Sequence, residues 1–302
     1  MASNTYSYGL PFSEKVGENM DDLLQRIDNR KASLLICDGL MGEGKTTLAI
    51  ELAQYIALKR EGLVHKVKGG EIKFYDNFSV DLDKQLAMGG EDFQEKLEIC
   101  KDCRLHVVVY DEAGDFSKKG AITQFNQKLM RVFQTFRAFK ILVILCLPSF
   151  DILENDLFKQ GVPRILFNCH DRGDYEGSIR GYGLEEMFYI KHYMKKEVVP
   201  FKAYSKVKPN FRGHFKDLPK KISDKLDEVS TNAKELTLSK NILKNRGLLN
   251  YGELAARVGR SLFWVRRTLK ELNIPPTTKY QQKNYYETSI ITTLEAQKGN
   301  NS

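Results

Sequence analysis

The chain has no long apolar stretch. Its longest, Ile141–Leu147, runs to seven residues, against about twenty for a membrane-spanning helix, which excludes a transmembrane span. The opening, Met1-Ala-Ser-Asn-Thr-Tyr, is polar and lacks the apolar middle of a secretory leader. Cysteines number five, an odd count, at positions 37, 100, 103, 146 and 169, and two fall inside apolar runs. A disulfide framework is therefore not expected, and a reduced, cytoplasmic setting is (host cytoplasm for a viral protein). No internal repeat is visible, which removes solenoids and arrays.

What is present suits a globular protein. The 302 residues are 42% hydrophobic, enough for one sizeable α/β domain and a small appendage. Lys and Arg outnumber Asp and Glu by 47 to 39, a net charge of +8, which fits a polyanionic partner such as DNA. Ser33–Cys37, Glu71–Tyr75, Leu105–Tyr110, Lys140–Cys146 and Arg164–Asn168 read as strands. Helical periods at Thr46–Leu58, Glu91–Lys101 and Gln124–Phe139 separate them. Alternating strands and helices predict an α/β fold with a mostly parallel five-stranded sheet flanked by helices. Residues 1–205 are read as this domain. A Lys-rich linker follows over 206–235, with some helix from Lys221, then a compact helical unit over 236–275 and a mobile tail over 276–302.

Gly39-Leu40-Met41-Gly42-Glu43-Gly44-Lys45-Thr46 fits G-x-x-x-x-G-K-[ST], and Thr47 follows. The glycines let the backbone wrap a phosphate and aim several N–H groups at it. Lys45 is expected to reach the β- and γ-phosphates and the Thr46 hydroxyl to ligate Mg²⁺. At about 7% glycine, a chance match in a chain this long has odds on the order of 1 in 100. The bland alternative is a glycine-rich turn at a helix start. Val107-Val-Val-Tyr-Asp111-Glu112 supplies acidic residues at the carboxyl end of an apolar strand, where an open α/β sheet binds its ligand. Asp111 is expected to hold Mg²⁺ through water, and Glu112 to orient or deprotonate the attacking water. A hydrolytic glutamate argues against a small-molecule kinase. Together the two motifs predict a Mg²⁺-dependent ATPase with a P-loop NTPase fold.

Gly39–Thr46, Asp111-Glu112-Ala113 and a later strand closing on a polar residue resemble the additional-strand, catalytic-glutamate P-loop ATPases. The closest likeness is to the DNA-pumping ATPases related to the FtsK–HerA and zonula occludens toxin-like families of viruses and mobile elements. The resemblance covers about residues 30–175. It implies a polar sensor at the end of the inserted strand. Lys140–Leu147 is that strand by position and runs into Pro148-Ser149, making Ser149 the sensor candidate and Asn168 a second. It also implies an arginine finger from a neighbouring subunit, for which Arg137 and Arg172 are candidates, with Arg131 and Arg164 less suitable. A finger in trans requires self-assembly, and a ring such as a hexamer is expected.

Leu249 to Leu272 matches a helix-turn-helix pattern. Leu254, Val258, Val265, Leu269 and Leu272 face a small core, Gly259 takes the turn, and Ser261 caps the second helix. That helix carries Arg266, Arg267 and Lys270, expected with Ser261 to meet DNA phosphates or base edges. The same pattern also serves as a protein–protein module, and Lys279–Ile291 could add the strands of a winged variant. Cys100-Lys-Asp-Cys103 has metal-ligand spacing, and Cys169-His170 could complete four ligands; part-buried thiols are the alternative. Two functions follow: an ATP-driven motor or remodeller on DNA in packaging, conjugation or replication, or an ATP-gated DNA-binding regulator in which nucleotide switches assembly.

Overall fold

The computed structural model describes residues 9–31, 33–70, 72–111, 137–170, 176–245, 247–280 and 283–300. Two compact units emerge, Met1–Val229 and Ser230–Ser302. Among the described residues no helix is long and apolar enough to cross a membrane.

The first unit is built on seven strands: β1 (Leu34–Asp38), β2 (Leu86–Ala87), β3 (Val107–Asp111), β4 (Leu142–Leu147), β5 (Pro163–His170), β6 (Glu176–Tyr182) and β7 (Phe211–Lys216). They lie in the order β2-β3-β4-β1-β5-β6-β7. The first five are parallel, and β6 and β7 add antiparallel at one end. The strand expected beside the Asp111 strand is β4, between β1 and β3. Its neighbours read as unbroken apolar runs because both faces are covered. Leu35, Cys37, Val107, Val109, Leu142, Ile144 and Cys146 join one core. The alternate residues Leu34, Ile36, Val108, Tyr110, Val143, Leu145 and Leu147 join a second core on the opposite face.

Helix α1 (Glu14–Asp28) and helix α2 (Lys45–Arg60) belong to the first core. The latter is apolar almost all round, as a helix enclosed between sheet and helix should be. Tyr55 Oη donates to Asp21 at 2.9 Å and Lys59 pairs with the same carboxylate at 2.9 Å, pinning α1 to α2. Helix α3 (Gly90–Asp102) and helix α4 (Leu184–Met194) serve the second core through Phe93, Leu97, Met187 and Ile190.

Four expectations need correction. The sheet has seven strands, not five. Of the strand expected over Glu71–Tyr75, the described residues 72–75 form none: residues 74–77 form a turn, and the edge strand is Leu86–Ala87 instead. The reason is side-chain competition for its backbone. Gln54 Nε2 donates to the carbonyls of Phe74 at 3.1 Å and Asn77 at 2.8 Å, while Tyr75 Oη donates to the buried Glu51 at 2.7 Å. Next, the expected linker over 206–235 contains β7, whose apolar content is small because only Phe211, Gly213 and Phe215 of its residues face the protein. Finally, the expected mobile tail over 276–302 holds two strands and a helix.

Glycines in β6 make room for β7. A Cβ at Gly177 would sit 2.2 Å from the Phe215 ring, and one at Gly181 would sit 2.1 Å from the Phe211 ring. Gly177→Ala is therefore expected to destabilise the protein by about 1–3 kcal/mol through overpacking, read as a lower urea midpoint at unchanged slope.

Helix α5 (Lys220–Asn245) contains the boundary between the units. The second unit then has β8 (Leu248–Asn250), α6 (Tyr251–Val258), α7 (Leu262–Glu271), β9 (Thr278–Tyr280), β10 (Lys283–Glu287) and α8 (Ile290–Asn300). Its three strands form an antiparallel sheet in the order β8-β10-β9. Asn250 caps α6 in a reciprocal box with Glu253, Gly259 closes that helix in the left-handed region at φ 66°, and Ser261 caps α7. Leu254, Val258, Val265, Leu269 and Leu294 make the small core.

Candidate functional site

Parallel strands in register bring their carboxyl ends to one edge. Asp111 of β3 stands opposite Cys146 of β4, and Cys146 opposite Cys37 of β1; Asp38 stands opposite Leu147 and Asn168. The loop Gly39–Gly44 leaves β1 at this edge and feeds α2.

Three glycines make that loop possible. Gly39, Gly42 and Gly44 have φ of 146°, 87° and 80°, a region closed to most side chains. At Gly39 the reason is doubled, since a Cβ would lie 2.4 Å from the Cys169 carbonyl oxygen. A Cβ at Gly42 would meet nothing within 4 Å, so the mouth of the loop is open. Gly44 is the N-cap of α2 and brings no side-chain cap, which leaves the first N–H groups of the helix facing the loop. Thr47 is buried under this turn, and Cys146 Sγ lies 3.7 Å from the Lys45 carbonyl oxygen. Leu40 and Met41 project outward, Met41 being 98% exposed.

Three side-chain hydrogen bonds occupy the loop. Lys45 Nζ donates to the carbonyls of Gly39 at 2.9 Å and Leu40 at 2.8 Å. Thr46 Oγ1 donates to Asp111 Oδ2 at 2.8 Å, joining residues 65 positions apart. The hydroxyl and carboxylate are hard oxygen donors of the kind Mg²⁺ takes. The residues present therefore fit both the phosphate and the metal that the motif implies.

Behind the loop lies a buried carboxylate that sequence reasoning missed. Asp38, fully enclosed at the end of β1, accepts hydrogen bonds from Tyr204 Oη, from Asn168 Nδ2 at 3.1 Å and from the Phe150 backbone N–H at 3.3 Å. Desolvation pushes its carboxyl up to about 6, against the pull of those donors and of the Lys45 charge. Asn168 thus serves Asp38. Lys191, also missed, reaches from α4 to the carbonyls of Asp151 and Leu153, and burial lowers its pKa to about 8. Both fasten the segment after β4. An acidic residue at the very end of the apolar β1 run was the one available signal.

Other candidates divide. Ser149 donates to Asp151 at 2.6 Å and precedes a 3₁₀ turn, so its hydroxyl is engaged there. Arg164 opens β5 at the far end from Asn168, about 13 Å along the strand, which removes it from this edge. The backbone of Arg137 lies in a 3₁₀ turn, Arg137–Phe139. Glu112, Arg131, Arg172 and residues 124–136 of the helix expected over Gln124–Phe139 lie outside the described residues. The four-ligand zinc arrangement is not formed: Cys100 is buried in one core and Cys169 in the core across the sheet, and among the described residues no three metal-binding side chains gather. In the second unit Ser261 is engaged as the α7 cap, Arg267 pairs with Glu271 at 2.7 Å, and Arg266 and Lys270 are exposed.

A mostly parallel sheet with the glycine loop after β1, and β4 between β1 and β3, is consistent with a P-loop NTPase-like fold. No family model matches the chain, and no curated protein does. Among solved structures, the flagellar accessory protein FlaH from Methanocaldococcus jannaschii aligns at a TM-score of 0.25 and 16% identity. The alignment covers 54% of this chain and 84% of that one. So slight a likeness adds nothing to what the strand order and loop establish.

Proposed function

We propose that the chain is a Mg²⁺-dependent ATPase of the additional-strand, catalytic-glutamate kind, whose hydrolysis drives binding, translocation or remodelling of DNA. The observation that carries the reading is the Thr46–Asp111 contact of 2.8 Å beside the Lys45 ammonium, at the start of a helix whose loop is open.

The residues divide the work. Backbone N–H groups of Gly42–Thr46 cradle the phosphates, and Lys45 exchanges its two loop carbonyls for phosphate oxygens. Thr46 and Asp111 hold the metal, directly and through water. Mg²⁺, when bound, neutralises charge on the phosphoryl group. Glu112, next to Asp111 in sequence, receives the role of orienting the attacking water. Arg137 or Arg172 of a neighbouring copy is assigned the finger, within a homo-oligomeric ring.

The DNA half of the proposal draws on charge. Residues 230–302 carry twelve Lys and Arg against five Asp and Glu, which is +7 of the chain's +8. Such concentration on a small unit with a capped helix pair supports a helix-turn-helix that grips nucleic acid.

ATP turnover is expected to require Mg²⁺, to vanish with EDTA, and to rise several-fold with DNA. Slow turnover indifferent to DNA, with tight binding to one sequence, would favour the nucleotide-gated regulator. Light scattering that stays monomeric with an ATP analogue and DNA would count against the ring.

A further inference from the structure

The cations expected to meet a duplex do not stand on a plain convex surface. Arg266 and Lys270, one turn apart on α7, line a groove of about 750 Å³ within the second unit, together with Tyr251, Leu269, Asn284 and Tyr286. No Asp or Glu among the described residues lines it. Among the described residues neither cation has an ion-pair partner, whereas Arg267, outside the groove, is paired with Glu271.

The aromatic wall is fixed in place. Tyr251 and Tyr286 join their hydroxyls at 2.7 Å, Asn284 Nδ2 donates to Tyr251 Oη at 3.2 Å, and the two rings lie 5.2 Å apart. The Arg266 guanidinium lies 5.1 Å from the Tyr251 ring centre. A flat cation beside a held ring, with an ammonium one turn on, is a stacking platform next to a phosphate site. A duplex keeps its bases stacked on one another and reaches such a platform poorly. An unpaired base reaches it directly.

We propose that this groove holds single-stranded DNA, an unpaired base lying against Tyr251 and Arg266 and the neighbouring phosphates on Arg266 and Lys270. The inference rests on the reading that the chain acts on DNA, and names the form of DNA its second unit takes. It does not depend on ATP turnover.

Fluorescence anisotropy of the full chain, without nucleotide, tests it. The probes are a labelled thymidine oligonucleotide and a duplex of equal length, and the variants are R266A/K270A and R257A/R260A. The second pair removes the same charge from exposed positions outside the groove. The single strand is expected to bind tighter than the duplex. At about 0.1 M salt R266A/K270A is expected to lose roughly 20-fold in strand affinity, with a log–log salt slope shallower by about 1.4, as two lost phosphate contacts require. R257A/R260A is expected to lose far less. Equal losses for the two pairs, or tighter binding of the duplex, would overturn the proposal. So would displacement of the strand by micromolar AMP, which would mark a free-nucleotide pocket. If strand binding fails while DNA still stimulates ATP turnover, the groove assignment falls and the ATPase reading stands. An inactive ATPase that still binds the strand gives the reverse.

Discussion

Lys45→Ala is expected to lower ATP turnover by at least about 100-fold, as removal of one preorganised donor to a developing anion does, and to weaken ATP binding in parallel. The ammonium sits at the loop's focus, 2.8–2.9 Å from two of its carbonyls, and alanine offers no donor in its place. Lys45 is half-buried at the start of α2 and belongs to neither core. The thermal midpoint is expected to move little, which separates lost chemistry from lost fold. Lys45→Arg keeps the charge but replaces a compact ammonium with a wide planar fork, so only partial recovery is expected. Turnover within twofold of the parent in K45A would end the nucleotide reading.

The second large effect concerns Asp38. Its carboxyl titrates near 6 in the folded protein against 3.8 ordinarily. The folded state therefore binds that proton more tightly than the unfolded chain. This contribution to stability is fully present below about pH 4 and is lost as pH rises through 6, a change of ~3 kcal/mol. In Asp38→Asn it is absent. The difference in unfolding free energy, parent minus variant, is expected to fall by about that amount between pH 4 and pH 7, whatever the other carboxylates do in both proteins. Tyr204→Phe removes a donor to the ionised form, so its cost is expected to be larger at pH 7 than at pH 5. A parent-minus-D38N difference that is flat with pH would show that Asp38 is not the group described.

The glycine loop after β1 was legible because its pattern is local: glycines, lysine and threonine stand within two turns of chain. The position of Asp111 at the carboxyl edge of the sheet was legible because it closes an apolar strand with a second acidic residue next in sequence, downstream of the glycine loop. Asp38 was not, since its donors come from 112, 130 and 166 positions away, and nothing nearby in the chain distinguishes it from an ordinary strand end. Ser149 stands just past the end of β4, where its hydroxyl donates to its neighbour Asp151, a contact between close residues that strand periodicity does not reveal. Residues 71–75 have strand-like composition, but Gln54 and Glu51 on α2 capture their polar groups. Phe211–Lys216 hid for a different reason. A strand that exposes Arg212 and Lys216 to water reads as part of a basic linker, and only the rings of Phe211 and Phe215 over two glycines reveal its inward face.

The two rims of the central sheet are both blunted. One ends in β2, two residues long. Along the other, the chain's own start runs beside β7: Phe12 bridges to Phe215, Ser13 N–H donates to His214, and Lys216 N–H donates to Pro11. Open rows of main-chain donors and acceptors invite intermolecular strand addition and, from there, fibrils. With both rims closed in this way, copies of this domain can crowd together at high local concentration and meet through side chains, without the sheet growing from one molecule into the next.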